Sequence, residues 1–126
     1  MYTELSVFFK SITDIDTMPV VICDINNTII YMNPSAVKRY EKKGGASLVG
    51  GSIFSCHNEE SNSIIKAVVS WFSENSENNR VFTFHNEKEN KDVYMIALRD
   101  DNGKLIGYYE KHECRNTETS PRYNMD

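Results

Sequence analysis

Two short β-rich runs, Val20-Val21-Ile22-Cys23 and Thr28-Ile29-Ile30-Tyr31-Met32, are separated only by Asp24-Ile25-Asn26-Asn27. β-Branched and aromatic side chains suit a half-buried pleated surface, and Asx side chains bond their own backbone in tight turns. This stretch therefore predicts an antiparallel hairpin. Asn33-Pro34-Ser35 ends the second run and opens a helix, with Asn or Ser as cap and Pro in the first turn. That helix, about residues 35–42, stops at Gly44-Gly45, and residues 44–58 read as irregular, with a second break at Gly50-Gly51. A longer helix over about 60–74 gathers Ile64, Ile65, Val68, Val69 and Phe72 on one face. Two strands follow, Arg80–Asn86 and Asp92–Leu98, and Asp100-Asp101-Asn102-Gly103 turns the chain into a last strand at about 104–112. Two strand groups around a helical insert imply an α+β fold. Its centre is a five-stranded antiparallel sheet, with short helices and one longer helix packed on one face.

Ahead of this unit, Leu5, Phe8, Phe9, Ile12 and Ile15 recur at helical steps until Met18-Pro19 closes the segment. Residues 1–17 are thus a flanking helix. Leu5, Phe8, Phe9 and Ile12 are candidates for a homodimer interface, a use compatible with docking on their own domain. From Glu113 onward apolar content almost vanishes, so residues 114–126 are expected to be a disordered polar tail beyond a domain spanning 18–113. There is no internal repeat.

At 126 residues the chain is one domain's worth, able to bury a core without staples. A net charge of −4 and a pI near 5.4 argue against nucleic acid and anionic membrane as partners, since both need a positive surface. No apolar run is long enough to span a bilayer, and Met1-Tyr2-Thr3-Glu4 lacks the basic start of a secretory signal. Cys23, Cys56 and Cys114 are odd in number and far apart, which reads as free thiols in a reducing cytoplasm.

The stretch Asp24-Ile25-Asn26-Asn27-Thr28-Ile29-Ile30-Tyr31-Met32-Asn33-Pro34-Ser35-Ala36 resembles a pattern of the PAS sensor domain family: strand, Asp, turn, apolar strand, then Asn-Pro-x-Ala. Leu48-Val49-Gly50-Gly51-Ser52-Ile53-Phe54 resembles the family's approach to its long helix. Arg99-Asp100-Asp101-Asn102-Gly103-Lys104-Leu105-Ile106-Gly107 resembles its final hairpin. Ser55-Cys56-His57 and Gly107-Tyr108-Tyr109-Glu110 are similar to a branch with a Cys-His pair before that helix. The likeness covers Met18 to Glu113. It implies a sensory or protein-interaction module of bacterial signalling rather than an enzyme, acting on a signalling partner in trans. The chain departs from the pattern at Glu113-Cys114-Arg115, where many PAS domains carry Asp-Ile-Thr at the exit of the last strand.

A PAS cavity lies between helices and sheet. Alternation nominates Ile22, Ile30, Met32, Ile53, Phe54, Ile64, Val68, Phe84, Tyr94 and Ile96 as its walls, with Asn33 and His57 as polar contacts. No Lys or Arg is expected to face it, which favours a small neutral or singly charged, partly aromatic ligand. Whether side chains or a ligand fill that space is open at this point. Haem is the alternative cofactor, with His57 or a cysteine thiolate as axial ligand. A structural reading of His57, opening the helix with Cys56 in the core, competes with it. Flavin photochemistry is excluded because Ser55-Cys56-His57-Asn58 is not the reactive-cysteine context it needs. Gly45-Ala46-Ser47-Leu48-Val49-Gly50-Gly51-Ser52 fails as a phosphate loop, since Gly51 stands where Lys is required. His85 and His112 lie on strands separated by another strand, about 10 Å apart, and no metal-ligand spacing joins them. No nucleophile motif is present, which leaves a small enzyme as a default reading only.

Overall fold

The structure is a computed structural model that describes residues 2–124. The chain runs through a helix α1 (Tyr2–Asp14) and strands β1 (Val21–Asp24) and β2 (Ile29–Met32). Helix α2 (Pro34–Arg39) follows, then three single-turn 3₁₀ helices (Glu41–Lys43, Gly45–Leu48 and Ile53–Cys56) and helix α3 (Glu59–Glu74). Strands β3 (Arg80–Asn86), β4 (Lys91–Arg99) and β5 (Leu105–Cys114) complete it. The five strands form one sheet in the order β2-β1-β5-β4-β3, with every pairing antiparallel. This is the expected fold class. The segment read as irregular differs in detail, since most of it coils into the 3₁₀ turns.

The first hairpin closes as its Asx residues dictate. Asp24 Oδ1 accepts from the backbone N–H of Asn26 at 2.8 Å and of Thr28 at 3.0 Å, and Asn27 takes the left-handed conformation at φ 65°. Asn33 caps α2 by accepting from Ala36 N at 2.9 Å, and Asn58 caps α3 by accepting from Ser61 N at 2.8 Å. The far end of α3 is held by Arg99, whose guanidinium donates to the Phe72, Asn78 and Gly103 carbonyls at 2.8, 3.1 and 3.1 Å. Gly107 is required where β5 crosses β1, because a Cβ there would lie 2.2 Å from the Cys23 carbonyl oxygen.

Strand register assigns the two sheet faces. Directly paired residues share a face, so Val21, Glu110 and Met95 line up, as do Cys23, Tyr108 and Ala97, and Val93 with His112. This face packs on Ile53, Cys56, Ile65, Val68 and Phe72 to form the core, with Phe72 fully buried. The intervening residues line up on the other face: Ile22 with Tyr109 and Ile96, and Tyr94 with Lys111. A bulge between Phe82 and Phe84 breaks the alternation of β3. Phe82 therefore stacks on Tyr94 on the outer face, ring centroids 5.5 Å apart, while Phe84 turns inward.

Helix α1 lies away from the core with Phe8, Phe9 and Ile12 exposed, and contacts among the described residues tie down its C-terminal end. Asn33 Nδ2 donates to the Thr13 carbonyl at 2.8 Å, the Tyr31 hydroxyl donates to Asp14, and Tyr31 and Thr13 hydroxyls lie 3.0 Å apart. At the other end β5 runs to Cys114. Arg115 then clasps the sheet, donating to Asp92 Oδ2 and to the Tyr94 hydroxyl, each at 2.6 Å. Residues 115–124 carry no regular structure, and Met125 and Asp126 lie outside the described residues. No helix among the described residues is long and apolar enough to cross a membrane.

Candidate functional site

Glu110 and His112 alternate onto the inner face of β5, where a strand facing a core would ordinarily place apolar side chains. Between this face and the helices lies a cavity of about 470 Å³. The sheet contributes Thr83, Phe84, Met95, Glu110 and His112. Across from them stand Arg39 and Tyr40 from the end of α2, Lys43 and His57 from the connecting turns, and Ile64 and Ile65 from α3. A void of about 20 Å³ lies deeper, bounded by Val21, Cys23, Ile53 and Tyr108, and it shares Tyr40, His57, Ile65, Met95 and Glu110 with the main cavity.

Hydrogen bonds fix the polar groups. His112 Nε2 donates to Glu110 Oε1 at 2.9 Å, which makes Nε2 the protonated nitrogen. Its Nδ1 is buried and has no partner among the described residues. Burial pushes the Glu110 carboxyl upward, but His112, His57 and Arg39 around it outweigh burial and hold it below its ordinary value, ionised at neutral pH. His57 Nδ1 lies 3.1 Å from the Ile53 carbonyl, which only accepts, and 3.3 Å from Cys56 Sγ, so Nδ1 carries a proton toward that carbonyl. Lys43 Nζ donates to the Cys56 carbonyl at 2.8 Å. Arg39 donates to Glu89 Oε2 at 3.1 Å, and Lys91 Nζ lies 3.5 Å from the other oxygen of that carboxylate. The Lys91 ammonium is pushed below its ordinary value by burial, with Arg39 adding to the effect. Burial raises the thiols: Cys56 upward, and Cys23 to about 12. Both stay protonated, and Cys56 Sγ lies 3.2 Å from the Ile53 carbonyl, the geometry of a thiol donating inward.

Of the residues nominated from the sequence, His57, Ile64 and Phe84 line the main cavity and Ile53 lines the deeper void. Met32 and Val68 are core, and Phe54 packs against the core under the Lys66 ammonium, 5.0 Å from its ring centre. Ile22, Tyr94 and Ile96 stand on the opposite face of the sheet, one step out of phase with the cavity. Ile30 is more than half exposed on β2, outside the cavity, where a bulge in the β1–β2 pairing shifts the alternation. Asn33 is not a ligand contact. It is wholly buried and fully engaged, accepting from Val20 N and Ala36 N and donating to the Thr13 and Met18 carbonyls. The expectation that no Lys or Arg faces the cavity is also overturned, by Arg39 and Lys43. Those two, with Tyr40, Met95, Glu110 and His112, are what sequence reasoning missed. The pair Glu110 and His112, two apart on a strand, was the available signal. Leu5, Phe8, Phe9 and Ile12 lie exposed on α1, and Ile12 borders an apolar groove of about 340 Å³ with Ile22, Leu98 and Tyr109 on the outer sheet face.

No family model matches the chain, and no curated protein does either. Solved structures do. The C-terminal domain of a Streptococcus mutans protein superposes with a TM-score of 0.64 at 23% identity, covering 84% of this chain and 81% of that one. The PAS domain of a Colwellia psychrerythraea protein gives a TM-score of 0.65 at 13% identity, covering 87% and 96%. The Aer2 receptor of Vibrio cholerae, a dual PAS-heme oxygen sensor, gives 0.52 at 19% identity over 75% and 90%. With the strand order 2-1-5-4-3 and the helical insert between β2 and β3, these likenesses show that the chain has a PAS-like fold.

Proposed function

We propose that this chain is a sensory module of signal transduction that binds a small molecule in the cavity between α3 and the sheet. Its occupancy would be reported to a signalling partner in trans. The observation that supports this reading is the Glu110–His112 pair facing an open cavity of about 470 Å³, a volume within the ordinary range of ligand sites. Polar groups on an inner sheet face are costly to desolvate and make sense where something is to be recognised. The PAS-like neighbours, one of them a described oxygen sensor, point the same way. An enzymatic role is not proposed, because the cavity thiol Cys56 is raised by burial and donates into the backbone rather than outward.

Haem fits this cavity poorly. His57 lines the cavity, but a porphyrin needs apolar surface on both faces, and here Glu110, Lys43 and Arg39 line the same space. A native mass spectrum and an absorption spectrum of the purified protein test the proposal. A retained small-molecule adduct without a Soret band is the expected result. A Soret band lost in His57→Ala would instead establish haem. Absence of any adduct, together with no thermal stabilisation across a small-molecule panel, would leave a protein-interaction domain.

That second reading has its own support in α1, whose Phe8 is 67% exposed and Phe9 59% exposed. Each such side chain contributes about 1.5–3 kcal/mol when buried, so a second copy of this chain is a favourable partner for that face.

A further inference from the structure

We propose that the cavity takes a small zwitterion with an apolar body, its cationic N–H end against Glu110 and its carboxylate toward Arg39 and Lys43. This deepens the reading of the cavity as a ligand site and rests on it.

The inner end of the cavity is an acceptor. Glu110 binds His112 through Oε1, and its other oxygen makes no hydrogen bond among the described residues. The carboxylate is ionised, for the reasons given above, and its side chain is 27% exposed, in the cavity. A partly desolvated carboxylate with an unmatched oxygen is best satisfied by a charged donor. His112 cannot turn to supply a second bond, being 97% shielded and already committed.

Arg39 and Lys43 bring donors to the same cavity. Arg39 meets Glu89 through Nη1 and also hydrogen-bonds the Tyr40 hydroxyl, with further guanidinium N–H groups beyond these, and Lys43 uses one of three ammonium protons on the Cys56 carbonyl. The wall also carries apolar side chains, set among Tyr40, His57, Ser61, Thr83 and a second carboxylate, Glu60. Ile64 and Phe84 are 43% and 49% exposed where they border the cavity, and Met95 and Ile65 lie behind them. A dianion would meet Glu110, and an uncharged hydrocarbon would strip water from that carboxylate without replacing it. A molecule that carries charges of both signs beside an apolar group meets Glu110, the Arg39 and Lys43 donors, and Ile64 with Phe84.

The test uses three isosteric probes, L-phenylalanine, phenethylamine and hydrocinnamate, titrated calorimetrically into the full chain. L-Phenylalanine is expected to bind most tightly. Glu110→Gln keeps an oxygen for His112, and it is expected to weaken L-phenylalanine and phenethylamine by about tenfold or more while sparing hydrocinnamate. Arg39→Gln is expected to weaken L-phenylalanine and hydrocinnamate and spare phenethylamine. Circular dichroism confirms that both variants fold. Tightest binding by hydrocinnamate, or undiminished L-phenylalanine binding in Glu110→Gln, would overturn the zwitterion and leave the ligand site standing. Binding of none of the three would also overturn it, and the native mass spectrum would then decide separately whether the cavity holds a ligand at all.

Discussion

Replacing Asn33 with Ala removes a side chain that joins three parts of the molecule. Its oxygen accepts from Val20 N at 2.8 Å and from Ala36 N at 2.9 Å, and its nitrogen donates to the Thr13 and Met18 carbonyls at 2.8 and 3.0 Å. Loss of the α2 cap costs about 0.5–2 kcal/mol. The buried Val20 N–H left without a partner adds about 1–3 kcal/mol. The half-buried Thr13 and Met18 carbonyls also lose their donor. The total is about 2–5 kcal/mol, a large share of the ~5–15 kcal/mol that holds an ordinary domain together. Urea unfolding followed by tryptophan fluorescence (there is one Trp, Trp71) reads this directly. Native-state hydrogen exchange adds a local readout, since α1 loses an anchor and its last turn is expected to exchange faster. Asn33→Asp retains the cap but turns a carboxylate toward backbone carbonyls, so it is expected to be at least as damaging. A loss under about 1 kcal/mol in Asn33→Ala, or unchanged exchange in α1, would refute the account of Asn33 as the joint between helix and sheet.

Gly107→Ala drives a Cβ to within 2.2 Å of the Cys23 carbonyl, and a loss of about 3 kcal/mol is expected, at the top of the usual range for overpacking, read by the same urea titration. Deleting residues 1–17 is expected to weaken a dimer seen by light scattering, and an unchanged mass would show that α1 serves only its own chain. Acid gives a further check through Glu110, whose folded carboxyl titrates below its ordinary 4.5. Its contribution is complete above that value and is lost as pH falls below it, so Glu110→Gln is expected to flatten the acid limb of the stability curve.

Punctuation in the sequence carried the fold. Asp24 and Asn27, Asn33-Pro34, and Asp100 to Gly103 are local devices whose geometry needs no distant partner, and they bound the elements to within a few residues. The site was far less legible. Val20 to Cys23 and Val93 to Ile96 are unbroken apolar runs, and a run without polar interruptions does not declare which of its residues face inward. Ile22, Tyr94 and Ile96 therefore read as cavity residues although they stand on the opposite face. The phase is set by β5, a central strand flanked on both sides, where Glu110 and His112 take the inner positions. Polar side chains there run against the usual rule, and that is why the cavity's chemistry escaped a reading based on hydrophobicity. Arg39 and Lys43 belong to helical turns that look solvated in one dimension, and only the packing of α2 against the sheet brings them to the cavity. Arg99 is similar: nothing local shows that it closes the C-terminal end of α3 some 27 residues earlier.

The contact between Arg39 and Glu89 fastens the β3–β4 turn to α2 at the edge of the cavity, and both side chains remain partly exposed, 34% and 45%. A pair so open to water is worth about 0–1 kcal/mol, so the fastened state outnumbers the released one by no more than about fivefold. That pair alone is too weak to lock the turn to α2, and raising ionic strength weakens it further. Rates of ligand uptake are then expected to rise with salt even where affinity does not, a kinetic signature that follows from one ion pair at the rim.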